Sequence, residues 1–210
     1  MCEIKNIVFD LGNVILRYDP EAMLLRYTSD PQEIDLCVKT VFGSPQWQAC
    51  DRGDGTREEI LPACMEKLPP KLRAYCEDIC YRRNLELVFM PPVPGIAGLI
   101  RELKAAGYGI YLLSNIGVSF HWICDDLPEL KLFDGLFASG DYHVLKPEPE
   151  IFRLFFEKFG LTPETCLFVD DNPANCAGGR AAGMRAVCFN GSKSDAKELR
   201  SLLTADGVKL

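Results

Sequence analysis

KNIVFDLGNVI, residues 5–15, decides the fold, because an apolar run leads directly into a carboxylate. Ile7, Val8 and Phe9 form a continuous apolar segment, which is typical of a strand buried on both faces of a parallel sheet. Asp10 ends that segment, and Gly12 breaks the pattern two residues later. Ligands of open α/β sheets bind beyond the carboxyl ends of the strands, so we expect Asp10 to lie where a functional group is needed.

Four further apolar runs are similar to this first one, and helix-like segments separate them. The predicted strands are residues 4–10, 109–115, 135–139, 166–170 and 185–189. The predicted helices are residues 95–107, 147–160, 173–183 and 194–204. Strands that alternate with helices over short connections indicate an α/β fold with a doubly wound parallel sheet.

Residues 20–90 follow a different pattern. Four helix-like segments succeed one another there without a strand signal, at residues 20–27, 31–42, 56–68 and 71–83. The third opens with Thr56 and Glu59 at the spacing of a capping box. A proline-rich hinge, MPPVPG at residues 90–95, ends the region. We therefore predict an α/β core of residues 1–17 and 92–210 and an all-helical cap inserted at residues 18–91.

The composition argues against several classes of function. The 210 residues carry a formal net charge of −7 without a cluster of Lys and Arg, which disfavours a nucleic-acid or membrane partner. No apolar stretch approaches the ~20 residues that span a bilayer. Ten cysteines at irregular spacing, with no signal peptide, predict reduced thiols in a cytoplasmic protein rather than a disulfide framework. We expect a monomer or a weak dimer.

Polar side chains end the predicted strands at one edge of the sheet. They are Asp10 after the first strand, Ser114-Asn115 at the second, Lys146 after the third and Asp170-Asp171 at the fourth. Three converging carboxylates need a cation, and hard oxygen ligands favour Mg²⁺. The Lys146 ammonium, the Ser114 hydroxyl and the backbone N–H of Asn115 would suit the oxygens of a phosphate. We expect Asp10 to attack the phosphorus as a nucleophile.

Simpler interpretations of these residues stay open. Asp10 and Ser114-Asn115 could each belong to an ordinary turn after a strand, and Lys146 could be a solvated side chain before a helix. The run Asp170-Asp171-Asn172-Pro173 is also typical of a helix N-cap, where carboxylates suit the helix dipole. The glycine at position 12 could be required by backbone geometry.

Four motifs together resemble those of the haloacid dehalogenase-like (HAD) hydrolases: VFDLGNV (8–14), LLSN (112–115), KPEPEIF (146–152) and FVDDNPANCAGGRAAGM (168–184). Their order and spacing are similar to the phosphatases of that family with a helical cap after the first motif. The resemblance implies that Asp10 is the nucleophile and, with Asp171 and the backbone carbonyl of Gly12, a ligand of Mg²⁺. It also implies that Asp170 binds the metal directly or through water, that Ser114 binds phosphate, and that Lys146 is the lysine of the family's third motif.

The side chain at position 12 departs from the family pattern. Most phosphatases of the family carry an aspartate there, which protonates the leaving group and later activates water, and Gly12 can do neither. General acid–base catalysis is typically worth ~10²–10⁴-fold in rate. We therefore expect a Mg²⁺-dependent phosphatase of a small phosphorylated metabolite with a good leaving group, such as an anomeric sugar phosphate or an aryl or acyl phosphate. The alternatives are a catalytically weak phosphate-binding or regulatory protein and a 2-haloacid dehalogenase.

The cap contains one candidate for substrate selection. Residues 44–59, SPQWQACDRGDGTREE, are interpreted as a glycine-rich turn between helices that lies over the site. Trp47, Asp51 and Arg52 in this stretch are the predicted substrate-selecting residues, although packing is the more ordinary role for a tryptophan.

Overall fold

Five parallel strands form the central sheet. The computed structural model of the protein describes residues 2–81, 89–118, 120–124 and 127–210. The strands are β1 (Asn6–Phe9), β2 (Gly109–Ser114), β3 (Gly135–Ala138), β4 (Cys166–Asp170) and β5 (Arg185–Cys188), in the spatial order β3-β2-β1-β4-β5. All five predicted strands are present, and the predicted α/β fold with a doubly wound parallel sheet is confirmed.

The register of the sheet brings the carboxyl ends of β1 and β4 to one level. Phe9 at the end of β1 is aligned with Leu112 of β2 on one side and with Val169 of β4 on the other. Asp10 and Asp170, the residues that follow Phe9 and Val169, therefore lie at the same edge of the sheet. Because β1 is central, its carboxylate is flanked by neighbouring strands on both sides.

Between β1 and β2, the described part of the chain forms a series of short helices joined by turns and irregular segments. The helices are α1 (Pro20–Leu24), α2 (Pro31–Cys37), α3 (Pro45–Arg52), α4 (Arg57–Ile60), α5 (Pro62–Met65) and α6 (Pro70–Tyr81), with a π-helical turn, Val38–Phe42, after α2. The predicted helix over 71–83 corresponds to α6, and its last two residues lie outside the described ranges.

The predicted helix over residues 56–68 is divided in two. Its capping box is confirmed: the Thr56 hydroxyl accepts a hydrogen bond from Glu59 N, and the Glu59 carboxylate accepts one from Thr56 N. Pro62 has no N–H to continue the ladder of α4, so it becomes the first residue of α5 instead.

Helices cover both faces of the sheet. The core helices are α7 (Ile96–Ala105), α8 (Phe120–Cys124), α9 (Pro149–Phe159), α10 (Pro173–Ala181) and α11 (Ala196–Ala205), and short 3₁₀ turns lie at Pro128–Leu132, Ser139–Asp141 and Pro163–Thr165. Along β1, Ile7 and Phe9 join one apolar cluster while Val8 joins another, formed with Phe152 and Phe155 of α9. Strands buried on both faces explain the continuous apolar runs of the sequence.

The structure corrects the interpretation of residues 44–59 as a turn. Residues Pro45–Arg52 are α3, and only the short segment after it, which starts at Gly53, is a turn. The Ser44 hydroxyl caps the helix by accepting from Trp47 N at 3.1 Å, and Pro45 takes the first position, where its missing N–H costs nothing. Gly53 ends the helix in the left-handed conformation at φ 84°.

The C-terminal end of α3 packs against two core loops at main-chain distance. A Cβ on Gly53 would lie 2.1 Å from the carbonyl oxygen of Gly140, and a Cβ on Gly117 would lie 2.2 Å from that of Cys50. Neither approach leaves room for any residue larger than glycine. The cap is therefore seated directly on the loops that follow β2 and β3.

Polar contacts reinforce this docking. The Ser139 hydroxyl donates to the backbone carbonyl of Asp51 at 2.6 Å. The Arg52 guanidinium binds both oxygens of Glu148, at 2.5 and 3.2 Å, and donates to the carbonyl of His143 at 3.2 Å. A two-pronged Arg–carboxylate pair fixes orientation as well as distance.

The two connections between cap and core run side by side. Arg17 N donates to Pro91 O at 2.9 Å and Val93 N donates to Ile15 O at 2.8 Å, around an antiparallel bridge between Leu16 and Pro92. The domain boundaries at 17/18 and 91/92 stay a prediction.

All ten cysteines carry free thiols. Across the described ranges, no helix combines the length and apolar character that crossing a membrane requires.

Gly117→Ala is expected to destabilise the protein by ~1–3 kcal/mol, because the added Cβ displaces the Cys50 carbonyl and loosens the cap. Urea unfolding measures the effect. Gly98→Ala is the matched control: outside the backbone of α7 itself, no described atom lies within 4 Å of the added Cβ, so alanine is expected to stabilise by ~0.5–1 kcal/mol. Equal stabilities for the two variants would contradict the close docking.

Candidate active site

Three carboxylates meet at the carboxyl edge of the sheet. Asp10 follows β1, Asp170 is the last residue of β4 and Asp171 is the next. Each offers an oxygen within 4.8 Å of the others'. The register places them there, since β1 and β4 are neighbours that end at the same level.

The buried ammonium of Lys146 offsets part of the negative charge of this cluster. Its ammonium lies 2.9 Å from Asp10 Oδ1 and 2.6 Å from Asp170 Oδ2, and it donates to the Leu113 carbonyl at 2.9 Å. Burial alone would lower the pKa of Lys146, but Asp10 and Asp170 hold it above its ordinary value. The side chain is fully buried, and its ammonium contacts the predicted nucleophile, Asp10, directly. A contact between Lys146 and a phosphate stays a prediction.

Burial raises the pKa of two of the carboxyl groups. The pKa of Asp10 rises to about 6 because desolvation and the charge of Asp170 outweigh the attraction of Lys146. The pKa of Asp171 is also raised, chiefly by burial, against a hydrogen bond from Asn13. Lys146 therefore does not supply enough positive charge for all three carboxylates, and an added divalent cation with oxygen ligands fits this donor set.

Asp170 and Asp171 have different surroundings. Asp170 is completely buried and accepts from the backbone N–H of Asn172 at 2.9 Å and from the Asn175 amide at 3.0 and 3.2 Å. Asp171 lines the open cavity. The helix N-cap of α10 is Asn172, whose side chain accepts from Ala174 N at 2.9 Å. Neither aspartate therefore serves as that cap.

Two asparagines at the site were missed by sequence reasoning. Asn13 donates to Asp171 Oδ2 at 3.0 Å and accepts from Tyr18 N at 2.9 Å, while its backbone adopts φ 54°. Asn175 holds Asp170, as described above. The available signals were an asparagine directly after Gly12, where left-handed backbone is tolerated, and an asparagine in the first turn of a helix. Both signals are too common to identify a ligand-orienting residue.

Ser114 and Asn115 lie in the cavity wall beside Asp10. The Asn115 side chain accepts from Lys146 N at 2.7 Å and donates to Lys146 O at 3.0 Å. Its amide is thus used to hold the lysine-bearing loop, which leaves the predicted phosphate contact to its backbone N–H.

Gly12 also lines the cavity, and its lack of a side chain is not a backbone requirement. Its φ lies outside the left-handed region, and among the described residues an added Cβ would have only Tyr18 Cβ near it, at 3.8 Å. The interpretation that backbone geometry demands this glycine is therefore wrong. The position has room for a Cβ, the first atom of the aspartate side chain expected from the family pattern.

A cavity of about 220 Å³ opens above Asp10, between core and cap. Its wall is mostly apolar and aromatic: Leu11, Tyr18, Met23, Phe42, Trp47, Ile79, Phe89, Met90 and Ile116. Asp51 and Arg57 are the polar residues that the described part of the cap contributes. Of the three predicted substrate-selecting residues, Trp47 and Asp51 are in this wall, whereas Arg52 is not and pairs with Glu148.

Comparison with known proteins gives relatives along nearly the whole chain. The sesquiterpene phosphatase astK of Aspergillus oryzae is 26% identical over 97% of this chain and 99% of its own. The haloacetate dehalogenase H-2 of Moraxella is 23% identical over 90% of this chain and 87% of its own. One of these relatives is named as a phosphatase and the other as a dehalogenase, so the relatives alone do not identify the reaction.

Solved structures share the fold. A HAD family enzyme from Bacteroides thetaiotaomicron, determined with magnesium and inorganic phosphate as an Asp-to-Ala mutant, superposes with a TM-score of 0.68 at 23% identity, over 93% of this chain and 98% of its own. The sequence model of the family of haloacid dehalogenase-like hydrolases matches residues 4–183 of this chain. With a parallel sheet that gathers its motifs at one edge, the chain belongs to the haloacid dehalogenase-like hydrolases.

Proposed function

We propose that the protein is a Mg²⁺-dependent phosphomonoesterase that uses Asp10 as nucleophile and acts on the monophosphate of an apolar organic group. The observation that carries this proposal is the position of Asp10, which lies between a buried ammonium and two further carboxylates at the floor of an apolar cavity. The magnesium and phosphate bound by the Bacteroides enzyme of the same fold support the choice of ligands.

The metal would be held by Asp10, Asp171 and the backbone carbonyl of Gly12, with Asp170 behind them. Bound Mg²⁺ supplies positive charge that offsets the three carboxylates and the phosphate. Asn13 would orient Asp171 through its 3.0 Å hydrogen bond. A hydrogen bond of this kind, from a residue that does not itself bind the metal, fixes the direction in which the ligand faces the metal.

The remaining residues would act on the phosphate ester. Lys146 keeps Asp10 ionised and correctly oriented for attack on phosphorus. The Ser114 hydroxyl and the Asn115 backbone N–H would hold non-bridging oxygens. Attack gives an aspartyl-phosphate on Asp10 and releases the alcohol, and water then hydrolyses that intermediate.

The cavity wall selects an apolar leaving group. A sugar, one of the substrates suggested by the sequence, carries several hydroxyls that need polar partners when buried, whereas nine apolar or aromatic side chains form most of this wall. An aryl or isoprenoid monophosphate suits it better. A relative named for its action on sesquiterpenes supports this class of substrate.

Wild-type protein is expected to hydrolyse phenyl and isoprenyl monophosphates faster than sugar phosphates, and EDTA is expected to abolish turnover until Mg²⁺ is restored. Asp10→Asn should lose at least ~10³-fold in kcat, because no nucleophile remains. Phosphate release measures both. The exposed Asp54→Asn variant is the control.

Two results would contradict this function. Halide release from haloacetate without added metal would make the protein a dehalogenase. Binding of phosphate analogues with no turnover above the Asp10→Asn background would make it a phosphate-binding or regulatory protein.

Asp10→Asn is also expected to stabilise the metal-free protein at neutral pH. The pKa of Asp10 is raised from 3.8 to about 6 on folding, so ionising it opposes folding, and this cost grows as pH rises from about 4 to 6. In EDTA at pH 7.5 the variant should gain ~2–3 kcal/mol in unfolding free energy over wild type, and the gain should vanish below pH 4. Urea titrations across pH measure this; a less stable variant at pH 7.5 would refute it.

A further inference from the structure

The site has no proton donor at position 12, but the cap brings a carboxyl group into the same cavity. We propose that Asp51 is the general acid and base of the reaction, in place of the carboxylate that the family pattern places where this chain has Gly12. This inference rests on the proposed phosphatase function. It assigns a chemical role to a residue that the sequence suggested only for substrate selection.

The main chain of Asp51 is fixed with respect to the nucleophile. The Ser139 hydroxyl binds its carbonyl at 2.6 Å, and Gly117 lets the preceding Cys50 carbonyl approach the loop after β2. The residue after Asp51, Arg52, is held by its ion pair with Glu148. Asp51 is therefore the middle residue of a three-residue contact between cap and core, which is the rigid placement that proton transfer demands.

The surroundings of Asp51 suit a group that exchanges a proton near neutral pH. Burial raises the pKa of Asp51 to about 7, and the charge of Asp10 adds to this effect while Arg57 opposes it. A carboxyl group with such a pKa exists in both protonation states at neutral pH, as a group that acts first as acid and then as base must.

Tyr18 provides a second, independent sign that an oxygen of a ligand belongs here. Its hydroxyl is buried and has no hydrogen-bond partner among the residues that the structure describes, although buried polar groups are nearly always paired. Tyr18 lines the cavity and lies beside the space that a side chain at position 12 would occupy. Burial and the nearby Asp51 raise its pKa, so the hydroxyl keeps its proton and can donate a hydrogen bond to the ester oxygen.

The proposed proton transfers balance. As an Asp10 oxygen bonds to phosphorus, the ester P–O bond breaks and the Asp51 carboxyl gives its proton to the departing oxygen, which leaves as the alcohol. Asp51, now a carboxylate, takes a proton from the water that attacks the aspartyl-phosphate. The second step releases phosphate and returns Asp10 ionised and Asp51 protonated.

A leaving-group series tests the role of Asp51. Asp51→Asn is expected to lower kcat/KM, which reports on the steps up to formation of the aspartyl-phosphate, by ~10²-fold or more on phenyl and hexyl phosphate, whose leaving groups need a proton. The loss of kcat/KM on 2,4-dinitrophenyl phosphate, whose leaving group needs no proton, is expected to be less than ~10-fold. Asp54→Asn, three residues further on and exposed, is the matched control and should leave all rates unchanged.

Restoring a carboxylate at position 12 gives the complementary test. Because that position has open space, Gly12→Asp in the Asp51→Asn background is expected to recover at least ~10-fold in kcat on phenyl phosphate. A recovery would show that the two positions supply the same proton.

The outcomes separate this inference from the proposed function. An equal loss of kcat/KM on all esters in Asp51→Asn, or no loss on any, overturns the role of Asp51 while phosphatase activity sensitive to Asp10→Asn stands. A Gly12→Asp change without effect on the Asp51→Asn enzyme likewise overturns the substitution of one carboxylate for the other. If the wild type hydrolyses none of the esters, the proposed function itself fails.

Discussion

The buried ammonium of Lys146 is the contact on which the rest of the site depends. It touches groups at the ends of three adjacent strands: Asp10 after β1, the Leu113 carbonyl in β2 and Asp170 in β4. Without it, two buried carboxylates would face each other unpaired, an arrangement that costs several kcal/mol. Neighbouring residues maintain this contact, since Asn115 binds both backbone groups of Lys146.

The sheet and the charged residues of the site were predictable because they depend on local sequence. Apolar runs identify strands buried on both faces, and a residue that directly follows a strand must lie at the edge of the sheet. Parallel pairing then gathers such residues, and this places Asp10 beside Asp170 and Asp171. The residues that orient them were not predictable, because Asn13 meets Asp171 across 158 positions of sequence. Nothing in either segment alone indicates that pairing.

The cap was predicted less well, for a physical reason. Short helices obtain most of their stability from tertiary packing, so periodicity is weak in a segment of eight residues such as α3. Ser44 before α3 and Gly53 after it were available as signals of a helix, but Asp54 and Gly55, which follow directly, suggested a turn. The close approach of Gly117 and Gly140 to the cap is a property of the assembled fold.

The geometry of α3 links two properties that are separate in many enzymes. Trp47 and Asp51 are four residues apart, so they lie on the same side of one helix, and both line the cavity. One contributes to the apolar surface that a substrate meets, and the other brings the carboxyl group. Sequence drift that rotates or shifts this helix would alter both together. The selectivity for a substrate and the supply of a proton would then change together during evolution. Exchanging caps between related enzymes would transfer both properties.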